Sequence, residues 1–307
     1  MNLRNTHPEF IQSPFHQIGC RIMNKILFAL TLVSTFLVCS CDKEINKLPT
    51  ATPAPRVVVM SYNIRYANSN DGNNAWDKRK EATIDMLSLL KPDVFGVQEA
   101  LATQVNYVKE NSKIYDCVGV GRDDGVSAGE HMSVFWNKET IEMLEWGTFW
   151  LSETPDKPSK GWDAACNRTA TWTLMQDKRH NKQFYFINTH LDHKGVVAQK
   201  NGLQLIIDRL STMNRRGLPM VLTGDFNIKP DNVILTDLDQ FMVSTRKVAL
   251  STDNSSTYNG FGGSSSIIDY IYMSGFQYAF SYRTVNQKFG SVSYISDHYP
   301  IMSTLVY

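Results

Sequence analysis

The apolar positions of this chain fall into short runs that alternate with longer helical stripes. Arg56-Val57-Val58-Val59-Met60-Ser61-Tyr62-Asn63 is a β-branched run ending in polar residues, which predicts a strand. From Trp76 to Leu90, the positions Ile84, Leu87 and Leu90, with Met86 beside them, fit one helix face, and Pro92 stops the helix. Val94 to Gln98 predicts a second buried strand with Glu99 at its end, and Leu101 to Glu110 a second helix. Strands are expected at Tyr115–Gly121, Met132–Trp136 and Glu142–Leu151, and Arg168–Met175 with Gln183–Thr189 alternates like a hairpin that His190 closes. Val196 to Met213 carries the longest helical stripe, with Leu203, Ile206, Ile207 and Leu210 on one face. The apolar run Met220–Leu222 then leads into Gly224-Asp225-Phe226-Asn227, and Ile267–Met273, Ala279–Val285 and Tyr299–Val306 supply late strands. Strands and helices mix throughout residues 56–307, without an internal repeat or linker, so one α/β domain is expected there.

The N-terminal segment reads differently. Ile26 to Val38 is apolar but too short to span a bilayer, and it follows Met23-Asn24-Lys25, a short charged n-region. It ends in Leu37-Val38-Cys39-Ser40-Cys41, which resembles a bacterial lipoprotein box with Cys41 as the lipidated residue. The ordinary alternative is a buried helix or a membrane anchor. The expected partition is an N-terminal extension and lipoprotein signal peptide over 1–41, a Pro/Thr-containing tether over 42–55, and a catalytic domain over 56–307. Such a chain belongs at the cell envelope of a Gram-negative bacterium, on the periplasmic side or the cell surface, with the membrane as partner through its lipid.

The formal net charge is +1, and removing residues 1–40 takes away three cations and one anion. The remainder is close to neutral, which excludes a polyanion-binding surface as a whole but leaves room for a local basic site. Cys117 and Cys166 are too few for a disulfide scaffold or a zinc site and read as core or near-site thiols.

Five polar clusters sit at or just beyond strand ends: Asn63, Glu99, His190, Asp225 with Asn227, and Ser296-Asp297-His298. Strand-end loops are where a rigid sheet presents catalytic groups. Each cluster alone has a plain explanation, as a turn, a cap or a satisfied core histidine. For Asp225 and Asn227, alternate residues of an extended backbone share a face, with Gly224 allowing the turn, whereas the plain explanation is an Asx turn.

Taken in order, Met60-Ser61-Tyr62-Asn63, Val97-Gln98-Glu99, Asn188-Thr189-His190, Gly224-Asp225-Phe226-Asn227, Ile268-Asp269-Tyr270 and Ser296-Asp297-His298 resemble the endonuclease/exonuclease/phosphatase superfamily, whose type fold is that of pancreatic deoxyribonuclease. The resemblance implies an α/β four-layer α/β/β/α sandwich of two packed mixed sheets flanked by helices. It also implies Glu99 as the principal Mg²⁺ ligand, helped by Asn63 and Asp297, with Mn²⁺ as the alternative ion. Oxygen ligands of this kind suit such hard cations. By the same resemblance Asp225 orients or deprotonates the attacking water, and Asn227 holds it or a phosphate oxygen. His298 stabilises charge on the phosphate, Asp269 fixes the His298 ring, and His190 donates on the leaving-group side with Glu130 behind it. Arg168 matches a phosphate-contacting arginine. The reaction so implied is metal-assisted phosphoester hydrolysis.

Gly121-Arg122-Asp123-Asp124-Gly125, Trp150-Leu151-Ser152-Glu153-Thr154-Pro155, Gly161-Trp162-Asp163-Ala164-Ala165-Cys166-Asn167-Arg168 and Leu191-Asp192-His193 look like a bacterial branch of secreted metal-dependent hydrolases, with lipoprotein members typical of Bacteroides-like bacteria. There Arg122 is a candidate for binding hydroxyls or phosphate, and Trp162 for stacking on a sugar or base. The expected substrate is a small, sugar or headgroup-type phosphoester. Nucleic acid is the alternative, less favoured because the basic groups Lys178-Arg179-His180 and Arg215-Arg216 are few. A non-catalytic binding module is less favoured still, and no feature calls for an obligate protein partner.

Overall fold

The computed structural model of the protein describes residues 54–307; the segment expected to be a signal peptide, Cys41 and most of the expected tether lie outside the described residues. The elements are β1 (Arg56–Asn63), α1 (Trp76–Leu90), β2 (Val94–Gln98), α2 (Ala102–Asn111), β3 (Tyr115–Val118), β4 (Val134–Asn137), β5 (Ile141–Trp150), β6 (Thr169–Asp177), β7 (Lys182–His190), α3 (Val196–Met213), β8 (Met220–Asp225), α4 (Thr236–Phe241), β9 (Val243–Ser244), α5 (Thr245–Val248), β10 (Asp269–Ser274), β11 (Tyr278–Thr284) and β12 (Ile301–Val306). Both long helices keep the bounds that their apolar periodicity predicts. The short pieces α4, α5 and β9 went unread, because so few residues carry no measurable period. The strand expected to reach Gly121 stops at Val118, since Gly119 takes a positive φ and leads the chain away.

Two six-stranded sheets share one plan. Their orders are β11-β12-β1-β2-β4-β3 and β5-β6-β7-β8-β10-β9. Each holds a single parallel pair, β1 with β2 and β7 with β8, among antiparallel neighbours. A parallel pair needs a long crossover, supplied here by α1 and α3. The two strands of a pair therefore end at the same edge: Asn63 stands beside Gln98, and His190 beside Asp225.

Three apolar layers hold the α/β/β/α sandwich together. In β1, Val57 and Val59 point between the sheets, towards Phe184, Phe186 and Val221, while Met60 and Tyr62 point outward onto Met86 and Leu87 of α1. On the other outer face Ile187, Leu222 and Tyr272 pack with Leu203, Ile206 and Leu210 of α3. Each large side chain buried this way contributes roughly 1.5–3 kcal/mol.

Near one edge the layer between the sheets turns from apolar to polar. Gln98 Nε2 donates to Asn188 Oδ1 at 2.6 Å and to Ser61 Oγ at 3.1 Å. From the opposite sheet, Asn188 Nδ2 donates to the carbonyls of Val97 (2.7 Å) and Ser133 (3.2 Å). Asn188 fits only because Gly96 faces it; a Cβ there would lie 2.3 Å from the Asn188 amide. Gly224 has a similar role, not the turn that its position suggests. It lies inside β8, and a Cβ would come within 2.2 Å of the Thr189 carbonyl.

Gly96→Ala should therefore push the sheets apart at this edge and cost about 1–3 kcal/mol, as overpacked cores do. Urea unfolding would show a lower midpoint; an unchanged midpoint would mean that the sheets do not depend on this close approach.

Candidate active site

The carboxyl ends of the two parallel pairs open into one cavity of about 530 Å³, within the usual range for small-molecule sites. One wall is acidic. Glu99 follows β2 in a left-handed conformation, φ +62. Its carboxylate accepts from Asn63 Nδ2 at 3.0 Å and from the Tyr66 N–H at 3.3 Å, contacts that hold an otherwise unfavourable backbone in place. Asp297 comes from the loop before β12, where Ser296 Oγ donates to the Asn63 carbonyl at 2.7 Å. Burial pushes the Asp297 carboxyl up, and Glu99 adds to the push against His298.

Arg65 lies 3.9 Å from Glu99 and 3.8 Å from Asp297 and is anchored on Asp71 by two 3.0 Å hydrogen bonds. Behind it the fully buried Arg79 donates to the carbonyls of Ile64, Arg65, Asn74 and Ile295, tying the loop after β1 to the loop before β12. Neither arginine belongs to the motifs that mark the other site residues. Arg65 had a weak signal, a charge two residues beyond Asn63; Arg79 had none, because it sits in an ordinary helical stripe.

The floor joins the sheets. Asn63 Nδ2 donates to Glu99 and also to Asp225 Oδ2, each at 3.0 Å. Its own oxygen accepts the Arg65 N–H, and its side chain sits behind the cavity lining. Asn227 is not extended: its φ is +53, and its N–H donates to Asp225 Oδ1 at 2.9 Å. The Asx turn is thus real, and it is the device that brings the two side chains together. Asn227 Nδ2 donates to His190 Nε2 at 3.0 Å, which leaves the ring proton on Nδ1. Burial, with Arg168 and Arg122 nearby, holds His190 well below the usual imidazole value. His298 Nδ1 donates to Asp269 Oδ2 at 2.9 Å, and its Nε2 is 3.7 Å from Asp225 Oδ2. Burial alone would lower the His298 ring; Asp269 and Asp225 outweigh it and bring the ring up to about 10. Burial and then Asp269 push the Asp225 carboxyl up to about 7.

The far wall is basic. Arg122 Nη1 is bonded to Glu130 at 2.5 Å, and Arg168 is held by Asp192 at 3.2 Å and His193 at 2.9 Å. Glu130, expected behind His190, has its carboxylate turned to Arg122 and lies 3.9 Å from His190 Nδ1, beyond hydrogen-bond reach. Trp162 stands outside the cavity lining, half-buried with φ +47 and its N–H on Glu153. Cys166 lines the cavity, and Cys117 packs in the α1 and α2 layer.

The donor set suits a hard divalent cation. Glu99 and Asp297 supply oxygens on the wall where a buried carboxylate has been forced upward, and ligand atoms of Glu99, His190 and Asp225 fall within 4.8 Å of one another.

Known proteins carry the same plan. Residues 60–298 match the model of the Endonuclease/Exonuclease/phosphatase family. The mannosyl-6-phosphatase of Bacteroides thetaiotaomicron is 33% identical, covers 82% of this chain and 100% of its own, and superposes with a TM-score of 0.77. An endonuclease/exonuclease/phosphatase from Bacteroides vulgatus is likewise 33% identical over 82% of this chain and 98% of its own, TM-score 0.77. An uncharacterised protein of Acanthamoeba polyphaga mimivirus is 25% identical, over 74% of this chain and 91% of its own.

Asp269→Asn removes the largest upward push on His298. The ring should then titrate about 1–3 pH units lower in cation-free protein, as loss of a close carboxylate implies. Imidazole NMR shifts followed against pH give the answer, and a ring that titrates where it did before would exclude the pairing.

Proposed function

The chain belongs to the Endonuclease/Exonuclease/phosphatase family, and we propose that it hydrolyses a small, sugar- or headgroup-type phosphoester with a divalent cation, Mg²⁺ first among them. One observation carries this reading: both sheets deliver their functional strand ends to one cavity, acidic on one wall and basic on the other. Glu99 and Asp297 would hold the cation, with Asn63 orienting Glu99. A cation bound there neutralises charge on the phosphate and on the departing oxygen.

The chain's own groups supply the rest. Asp225, pushed up to about 7, is poised near neutrality to take a proton from water, and Asn227 fixes its direction. His298, kept protonated by its two carboxylates, offers Nε2–H to a phosphate oxygen as negative charge builds. His190 stays neutral and so donates a hydrogen bond from Nδ1 rather than a full proton. The relationship to a mannosyl-6-phosphatase supports sugar phosphates as the first class to try. The lipoprotein box at Cys41 supports a location at the cell envelope, and labelling with a palmitate analogue, lost in Cys41→Ala, would test it.

The decisive experiment is a panel of phosphomonoesters and diesters with Mg²⁺, Mn²⁺ or EDTA. Turnover should need the cation and should fall about 10²–10⁴-fold in Asp225→Asn, the usual scale for a lost general base. Full turnover in a folded Asp225→Asn protein would sink the mechanism. Glu99→Gln should weaken Mn²⁺ binding by calorimetry about 10-fold or more, since it removes a full charge from the ligand set; an unaltered isotherm would place the cation elsewhere.

A further inference from the structure

We propose that the end of the sandwich opposite the cavity is a docking face for an anionic lipid bilayer, so that the anchored domain turns its cavity away from the membrane and takes its phosphoester from water. The docking rests on the Cys41 anchor proposed above, and its consequence for the substrate rests on the hydrolase reading. The starting point is a set of basic residues that the site leaves unused. Lys178 and Arg179 lie in the turn before β7, and Arg215 and Arg216 in the loop before β8. β7 and β8 form the parallel pair whose far ends, His190 and Asp225, reach the cavity. Both basic groups therefore share the other end of that sheet.

The first sheet meets them there. Arg179 Nη2 donates to the Arg56 carbonyl, at the start of β1, at 3.3 Å and to Asp93, just before β2, at 2.9 Å. Lys178 Nζ donates to the Lys138 carbonyl, between β4 and β5, at 2.5 Å. Six exposed cations gather at this end: Arg56, Lys138, Lys178, Lys182, Arg215 and Arg216. Arg179 is left out because Asp93 and Asp177 already neutralise it. Two exposed acids, Glu139 and Glu142, stand beside them between β4 and the start of β5. Residues 54–307 hold 26 basic and 27 acidic side chains, so the surplus of cations here is balanced by a surplus of acids elsewhere. A negative surface draws the basic end of a domain charged in this way.

The point where the chain enters the domain decides which surface that is. The Tyr307 N–H donates to the Pro55 carbonyl at 3.0 Å, and Arg56 pairs with Val306. The chain thus enters the sandwich within the basic end. Residues 42–53 separate Cys41 from Ala54, and that many residues reach about 40 Å fully extended and about 20 Å as a flexible coil. A lipid on Cys41 holds the domain by the end that carries the cations. Anionic headgroups attract each Lys or Arg that comes within a Debye length, about 8 Å at physiological salt. β1 and β7 rise about 3.3 Å per residue, which places the cavity roughly 25 Å further from the bilayer. A headgroup of the same bilayer does not reach it; a water-borne sugar phosphate does. A nucleic acid held on these cations would lie equally far from the cavity, so they do not serve a polynucleotide substrate.

The test adds the full-length chain, lipidated on Cys41, to preformed vesicles of phosphatidylcholine alone or with a third phosphatidylglycerol. A water-soluble acetylating ester, read by mass spectrometry, reports lysine exposure. Lys178 and Lys182 should react about fivefold more slowly on the anionic vesicles, the order expected where several cations sit at a charged surface. Lys194 and Lys229, each two residues from a residue of the site, Asp192 and Asn227, should react alike on both. Salt at about 0.5 M should abolish the difference by screening. Arg215→Glu combined with Arg216→Glu should abolish it too, without altering either reporter lysine. Equal rates at Lys178 and Lys182 on the two vesicles, or protection of Lys194 and Lys229 instead, would overturn the docking while leaving the anchor and the hydrolase reading intact. Protection by heparin but not by vesicles would assign the face to a soluble polyanion and overturn the docking as well. A chain that takes no palmitate label at Cys41 would remove the anchor, and the proposal with it. With Mn²⁺, the docked chain should cleave p-nitrophenyl phosphate and leave phosphatidate in the same vesicles intact. Cleavage of phosphatidate would overturn the outward cavity, whereas turnover of neither would count against the hydrolase reading.

Discussion

Everything at the candidate site depends on how two sheets are held together at one edge. The apolar layer between them fixes their spacing but not their lateral registration, because hydrophobic contact has no direction. Directed bonds do that here. Asn188, from β7, satisfies backbone carbonyls of the opposite sheet, and Gln98 reaches back to it through a gap that Gly96 leaves open. One layer further out, Asn63 bonds at once to Glu99 of its own sheet and Asp225 of the other. The site is therefore a seam, and its geometry is only as good as that polar bridge.

Charge is arranged along the seam in a graded way. Carboxylates and Arg65 lie on one side, the Asp225–His298–Asp269 group in the middle, and the Arg122 and Arg168 pairs on the other. Burying so many ionised groups would be costly were each not met by an opposite charge or a hydrogen bond. The two walls differ in kind: crowded acids that suit a cation on one, and arginines that suit an anion on the other. A phosphoester bound with a divalent cation, as proposed above, would match both.

How much of this was legible beforehand varies by element. The long helices α1 and α3 were plain because each shows several turns of apolar spacing. The strand-end residues Asn63, Glu99, His190, Asp225, Asn227 and His298 could be marked because polar groups at the ends of apolar runs stand out. For Asp225 and Asn227 the sequence leaves two routes open, and the structure takes the second. An Asx turn with a left-handed Asn227, not an extended alternation, brings them together. Glu130 stands between two partners, hydrogen-bonded to Arg122 and 3.9 Å from His190 Nδ1, and nothing local in a sequence says how a buried carboxylate divides itself between a histidine and an arginine. Arg79, which has no carboxylate within ion-pairing distance among the described residues and is wrapped in four carbonyls, could not be seen at all.

The sequence by itself determined the α/β order of elements, the ordered set of motifs and the chemical types at each strand end. These are local properties, set by periodicities of two and 3.6 residues and by the residues that interrupt them. Only the tertiary structure decided that both parallel pairs open at the same edge, that Arg65 stands between Glu99 and Asp297, and that Arg122 and Arg168 line the same cavity. Those facts depend on contacts between residues dozens to hundreds of positions apart, chosen by how two sheets pack, and no local pattern encodes such a choice.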